Sequence, residues 1–291
     1  MLEHLNAAPT RPERVVIIGA GGFVGGAILK KLRDAGTQVL ALTRRELDLL
    51  DAGATAKLAQ MLKPQDSVVM VSAVAPAKNV TMLMQNLKMA EAVCAALAEK
   101  SIAHLLYISS DAVYADDANP VTEDSYCAPT TLHGMMHAAR ELMLKSATTA
   151  PFAALRPTLI YGADDPHNGY GPNRFRRQAG KGEPISIFGE GEERRDHIWV
   201  EDVAALAVRM LERRSRGALN AVTGVSTSFH DIAQMVAAQF PGAVVKSAPR
   251  PGPRPHLLHR FFDITQCLKA FPDFRFTPLR EGLGHSQTDQ D

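Results

Sequence analysis

The chain has 291 residues, a formal net charge of +1, and 46% hydrophobic against 22% charged residues. That length allows one large α/β domain, alone or with a smaller lobe, and the balance excludes a disordered chain. The near-zero charge gives no electrostatic case for nucleic acid or an anionic membrane, and no apolar run reaches the roughly 18 residues of a membrane span. The first dozen residues lack the apolar centre of a secretory signal. Cys94, Cys127 and Cys267 show neither metal-ligand nor disulfide spacing, so a reducing, cytoplasmic setting is expected.

From Arg14 onward, short β-branched runs alternate with helical patterns. Val15–Ile18 predicts a buried strand, and Phe23–Ala35 a helix closed by Gly36. Val39–Leu42 predicts a second strand, Ala54–Leu62 a short helix, Ser67–Val71 a third strand and Met82–Glu99 a long helix. Leu105–Ile108 and Phe152–Leu155 read as strands on either side of a helix over Leu132–Ser146. Strands separated by helices imply a parallel sheet covered on both faces. After Tyr161-Gly162 the regularity breaks into a stretch rich in Gly, Pro and Arg, up to Arg195. Helical periodicity returns over Val200–Arg213, and Ala218–Val222 can return a strand to the sheet. The segment Pro249–Pro255 reads as an ordered loop around a ligand or a surface linker.

Gly19, Gly22 and Gly25 join the first strand to the first helix in a Gly-x-x-Gly-x-x-Gly spacing. The first glycine permits a tight turn, the second a close approach to a pyrophosphate, and the third tight helix–strand packing. The helix start at Phe23 and Val24 supplies N–H groups and positive dipole for the same anion. A dinucleotide site is therefore expected here, with Ala73 after the third strand among its residues. The second strand ends in Thr43-Arg44-Arg45, without the carboxylate that holds the ribose hydroxyls of NAD. Two guanidiniums there suit the 2′-phosphate of NADP. They also suit a solvated surface, and Asp48 is placed to reach the adenine edge. The cofactor is read as NADP or NAD, with NADP favoured.

Further motifs accompany the glycine turn. They are Tyr107-Ile108-Ser109-Ser110-Asp111-Ala112-Val113-Tyr114, Leu155-Arg156-Pro157 with Tyr161-Gly162, and the block from Phe188-Gly189-Glu190-Gly191 through Arg195-Asp196 to Val200-Glu201-Asp202-Val203-Ala204. In these the chain resembles the extended short-chain dehydrogenases, the NAD-dependent epimerase/dehydratase family, over roughly residues 14–284. The resemblance implies a Rossmann-type, doubly wound parallel sheet with a small C-terminal substrate lobe. It also implies a sugar or nucleotide-sugar substrate and a homodimer built on two long helices, here Met82–Glu99 and Met135–Leu144. Ser110 matches the hydroxyl that hydrogen-bonds the reacting sugar oxygen, and Arg195 an arginine that pairs with a substrate diphosphate. By this reading residues 14–162 form the cofactor core, rejoined by 196–224. Residues 163–195 and 225–284 form the lobe, and 1–13 and 285–291 are flexible ends.

The family's catalytic helix carries Tyr-x-x-x-Lys, in which tyrosine exchanges the proton and lysine binds the nicotinamide ribose. None of the five tyrosines is followed at that spacing by lysine. His133 falls on the tyrosine position and His137 on the lysine position, one turn apart on one helix face. Four readings follow. His133 is the acid/base, suited by an ordinary pKa near 6.5, with His137 at the ribose. Alternatively the protein binds the cofactor as a non-catalytic sensor or scaffold. The pair could also be part of a metal site with His167 or Asp111, although no third ligand has convincing spacing, or two packed histidines. The expectation adopted is an NAD(P)-dependent epimerase/dehydratase-like oxidoreductase with His133, His137, Ser110 and Asp111 catalytic and no metal. A dehydratase loses support, because alanine at 112 replaces the second carboxylate of the family's Asp-Glu pair. Leu159 stands where nucleotide-sugar epimerases tend to carry asparagine. Asn173 and Arg177, with Arg250 and Arg254, are candidates to restore anion binding, against the alternative of solvated basic faces.

Overall fold

The computed structural model describes residues 2–250 and 258–288. The chain runs through β1 (Glu3–His4), β2 (Arg14–Ile18), α1 (Phe23–Asp34), β3 (Val39–Leu42), α2 (Ala54–Met61), β4 (Asp66–Met70) and α3 (Val80–Glu99). It continues through β5 (His104–Ile108), α4 (Leu132–Ser146), β6 (Phe152–Pro157), β7 (Leu159–Tyr161), α5 (Pro172–Gly180), β8 (Ile185–Phe188) and β9 (Arg194–Trp199). The remainder is α6 (Val200–Glu212), β10 (Ser215–Ala221), β11 (Ser226–Ser228), α7 (Phe229–Ala237), β12 (Val245–Ala248), α8 (Thr265–Ala270) and α9 (Leu279–Thr288).

A seven-stranded sheet in the order β1-β10-β6-β5-β4-β2-β3 forms the centre, parallel except for β1. Successive strand residues point to opposite faces, so both faces must be covered. Val15, Ile17, Val69 and Leu106 meet α1 and α6, whereas Val16, Ile18, Val68 and Leu105 meet α2, α3 and α4. β2 is the strand at which the winding reverses, because β3 lies on one side of it and β4 on the other. Ile18 is level with Leu42 and with Met70, so these strands end together and open a crevice at their carboxyl ends, where such sheets bind ligands.

A second group of elements stands beside that crevice. β7, β9 and β11 form a three-stranded sheet, β8 and β12 a pair, and α5, α7 and α9 pack with them around Phe175, Ile185, Phe229, Ile232 and Leu283. Several boundaries differ from the periodicity reading by a few residues. α3 starts at Val80 because the Asn79 side chain caps it, accepting from the Met82 N–H at 2.9 Å. β10 starts at Ser215, three residues earlier than its apolar run.

The two ends differ more. Residues 1–13 were expected to fray, yet β1 pairs with β10 through Glu3–Arg216 and His4–Ser215. Its His4 ring bonds to Ser215 Oγ at 2.9 Å and the Ala270 carbonyl at 3.0 Å. An unpaired edge of β10 supplies the backbone groups that hold it. Residues 285–291 were also expected to be flexible, but α9 continues to Thr288. Ser286 is buried there, its hydroxyl donating to Gly282 and its carbonyl accepting from Arg176. Arg254 and most of the segment Pro249–Pro255 lie outside the described residues.

α4 can reach the crevice only because of Gly134. A Cβ there would stand 2.0 Å from the Ala112 carbonyl oxygen and 2.7 Å from Pro129 Cβ. Gly134→Ala should therefore displace α4 and lower the unfolding free energy by about 1–3 kcal/mol, read from the urea midpoint. An unchanged midpoint would show that α4 is not held at this contact.

Candidate active site

The crevice holds a cavity of about 860 Å³ lined by the β2–α1 turn, the ends of β3, β4 and β5, and one face of α4. Its floor is backbone. Gly19 has φ +102°, and a Cβ on it would fall 2.6 Å from the Ser72 nitrogen. A Cβ on Gly25 would fall 2.2 Å from the Gly19 oxygen, so α1 can sit this close to β2 only with glycine at 25. Gly22 is the N-cap residue of α1, and no side chain caps the helix. Its first N–H groups are left for an anion. These features fit a dinucleotide pyrophosphate, with Phe23 and Val24 at the same wall.

Thr43, Arg44, Arg45 and Asp48 line the far end of the cavity. The Arg44 side chain is 83% exposed and its Nε lies 2.9 Å from Asp48 Oδ2. An exposed pair of this kind is weak, so it does not hold the guanidinium against a competing phosphate. Ala73 lines the middle of the cavity beside Ser72 and Val74.

His133 and His137 line the opposite wall, with ring centroids 4.7 Å apart and planes at 86°. Thr131 begins α4 by accepting from the Gly134 N–H at 3.1 Å, which sets both histidines on the face toward the sheet. The Nδ1 of His133 is buried without a partner. Burial, aided by His167, lowers the His133 pKa. Burial also holds that of His137 well below the usual imidazole range, with His133 and Arg140 adding to the effect. Both rings are neutral at pH 7. His137 Nδ1 is 2.7 Å from the Tyr107 hydroxyl.

Ser110 and Asp111 complete that end of the cavity. The Ser110 oxygen accepts from the Ala112 N–H at 3.2 Å, and its hydroxyl reaches Asp111 only at 3.3 Å. Its proton is thus weakly held. Asp111 is half-buried, and desolvation raises its pKa, opposed by Arg260, hydrogen bonds from Ser110 and Thr158, and Arg195. His167, Tyr170 and His197 face the cavity from the second group of elements. His197 is kept neutral, its pKa pushed down to about 3 chiefly by burial. Among the described residues no group of three or more His, Cys, Asp or Glu side chains is arranged to hold a metal ion.

The four proposed substrate residues are distributed differently. Asn173 lines the cavity, but its amide accepts from the Gly162 N–H at 3.1 Å and donates to the Ile160 carbonyl at 3.3 Å. It shapes the wall. Arg177 does not itself line the cavity but is turned to Asp165, which does, and to Asn168 Oδ1 at 3.2 Å. Arg250 pairs with Glu193 Oε1 at 2.7 Å. Arg195 donates to the carbonyls of Arg194 and Leu258 at 2.9 and 2.8 Å and lies within the field of Asp111. Each of the three arginines is electrostatically tied to a residue lining the cavity, Arg177 to Asp165, Arg250 to Tyr170 and Arg195 to Asp111.

Two side chains at this wall carried no role in the sequence reading. Tyr107 stands on β5 beneath His137, and Arg140 is fully buried on α4 with Nη2 donating to the Ser72 carbonyl at 2.7 Å. The spacing 133, 137, 140 on one helix face was the available signal for Arg140.

Comparison with known proteins agrees with this geometry. The family described as NAD dependent epimerase/dehydratase matches residues 15–222. The chain is 25% identical over 316 residues to a dTDP-4-dehydro-6-deoxy-D-allose reductase of Streptomyces bikiniensis, covering 92% of this chain and 93% of that protein. It is 24% identical to the GDP-L-fucose synthase of Escherichia coli (strain K12), covering 87% and 89%. The crystal structure of a GDP-L-fucose synthetase from Naegleria fowleri bound to NADP superposes with a TM-score of 0.84 at 16% identity, covering 99% of this chain and 97% of that one. The chain belongs to the NAD dependent epimerase/dehydratase family, the extended short-chain dehydrogenases, whose enzymes use NAD or NADP.

Proposed function

We propose that the chain is an NAD(P)-dependent epimerase or reductase acting on a hydroxyl or ketone of a sugar or nucleotide sugar, with His133 as the proton donor and acceptor. One observation carries the reading: His133 lines the cavity that also holds the glycine turn and Ser110. The sugar-nucleotide names of the relatives support the substrate class. The nicotinamide ring, when bound, gives or accepts a hydride. Ser110 hydrogen-bonds the reacting oxygen, His133 Nε2 removes or supplies its proton, and His137 holds the ribose. Asp111 is hydrogen-bonded by Ser110 and Thr158 and orients that hydroxyl. Arg195 is the basic residue assigned to the substrate.

A homodimer is part of the reading. Val80 and Met84 on α3 and Met135 and Leu142 on α4 are exposed on adjoining helices, which supports a second copy there. Three free thiols support a reducing, cytoplasmic setting, and among the described residues no helix is long and apolar enough to cross a membrane. NADP is preferred over NAD on the strength of Arg44.

The activity test uses the purified protein with each cofactor and a panel of dTDP-, GDP- and UDP-linked sugars and keto sugars, following nicotinamide absorbance and product mass. Turnover is expected; bound cofactor without turnover on any of them would favour a binding protein instead. His133→Ala should lower kcat by about 10²–10⁴-fold while cofactor binding persists, and unaltered turnover would remove His133 from the chemistry. The pH profile has a defined sign. A lowered pKa leaves His133 a ready base at pH 7, so kcat/KM for alcohol oxidation should be level above pH 6.5 and fall in acid. In the reductive direction it should fall as pH rises above that pKa, because the proton donor disappears. A reductive rate that stays flat up to pH 9 contradicts the assignment. Arg44→Asp should weaken NADP binding by about 10–100-fold and leave NAD binding intact; an equal effect on both would show that Arg44 does not read the 2′-phosphate.

A further inference from the structure

The His137 ring is almost wholly buried, and its surroundings decide where its proton sits. Nδ1 lies 2.7 Å from the Tyr107 hydroxyl oxygen, and Tyr107 is itself 1% exposed on β5. A phenol has one proton to place and needs one acceptor for it. Among the described residues His137 is the one hydrogen-bond partner of that hydroxyl. If Nδ1 carried the imidazole proton and donated it, the phenol hydrogen would be left unpaired in the interior, at the full desolvation cost of a buried donor. Only the opposite arrangement satisfies both groups. The Tyr107 O–H donates to Nδ1, and the imidazole proton sits on Nε2.

A fixed cation adjoins this pair. Arg140 is 0% exposed, with Nη2 on the Ser72 carbonyl at 2.7 Å and Nη1 at 3.4 Å from Asn86 Oδ1. Its guanidinium carbon is 5.2 Å from the centre of the Tyr107 ring. Among the described residues no carboxylate pairs with it. Glu141, the next residue, is occupied by a bidentate contact from Arg156 and a bond from Ser109. The charged or titratable groups facing His137 are therefore His133, Tyr107 and Arg140, and none of them favours an imidazolium. Ser72, which Arg140 holds, precedes Ala73 in the cavity wall.

We infer that Tyr107 is a positioning residue that fixes His137 as a neutral Nε2–H donor, dividing between two residues what a lysine at position 137 would do alone. His137 supplies the hydrogen bond to the nicotinamide ribose, and Arg140 supplies the buried positive charge. The recipient of the hydrogen bond rests on the function proposed above; the tautomer does not.

The test is ¹⁵N NMR of the cofactor-free full chain with labelled histidine, using His137→Asn to identify the resonances. The expected spectrum has a protonated Nε2 and an accepting Nδ1 that persist unchanged from about pH 5.5 to 8.5, a range in which an ordinary imidazole titrates. A protonated Nδ1, or an imidazolium near pH 6, overturns the inference. Tyr107→Phe should release the ring into a mixture of tautomers and weaken NADP binding by about fivefold, with circular dichroism reporting the fold. A folded Tyr107→Phe with an unchanged tautomer also overturns it. If that variant does not fold, the wild-type spectrum decides alone. A fixed Nε2–H tautomer in a protein without turnover removes the proposed function and keeps this inference, whereas turnover with protonated Nδ1 does the reverse.

Discussion

The contact between Gly25 and the Gly19 carbonyl sets the distance between α1 and β2, and the site is built outward from it. A methyl group at 25 would stand 2.2 Å from that oxygen, inside any allowed separation. With hydrogen there instead, the uncapped start of α1 comes down over the carboxyl ends of β2, β3 and β4. Those strands end level with one another, and the crevice between them is open because the crossovers leave β2 on opposite faces. Gly134 does the same for α4 on the other wall, where the Ala112 carbonyl allows no Cβ. Two glycine contacts thus bring an uncapped helix start and a histidine-bearing helix to one cavity.

What that cavity contains is chemically unusual for its frame. A tyrosine–lysine pair works through a phenol whose pKa a nearby cation lowers. Here the two imidazoles are buried and neutral, and the phenol lies behind them with its pKa pushed up to about 12, principally by burial. In the proposed mechanism proton exchange moves to His133, whose pKa burial lowers. The permanent charge moves to a guanidinium that cannot reach the cavity but is one helical turn from it. The backbone cradle for the cofactor is untouched by these changes, because it depends on glycines and N–H groups rather than on side chains.

Periodicity made the central sheet legible: the runs Val15–Ile18, Leu105–Ile108 and Phe152–Leu155 all fall within strands, and Leu132–Ser146 is a helix end to end. β1 was not legible. Two residues carry no periodic signal, and Glu3–His4 is a strand only because the edge of β10 stands beside it. The small strands β7, β8, β11 and β12 are short for the same reason; their pairing is tertiary. The glycine turn could be read from spacing, and Ser110 and the histidine pair from their match to the family's motifs, since each lies within or next to one element. The arginines could not. Charge is visible in sequence but partners are not, so Arg177 and Arg250 are found on Asp165 and Glu193. Arg140, on the histidine face of α4, is buried where a helical wheel alone would have placed it.

The account stands most directly on where a bound cofactor meets the two histidines. A crystal structure of the NADP complex measures this. The account predicts the pyrophosphate on the N–H groups at the start of α1, a nicotinamide-ribose hydroxyl within hydrogen-bond distance of His137 Nε2, and His133 Nε2 open beside the nicotinamide ring. A cofactor seated in the glycine turn whose nicotinamide end lies away from both imidazoles would contradict it.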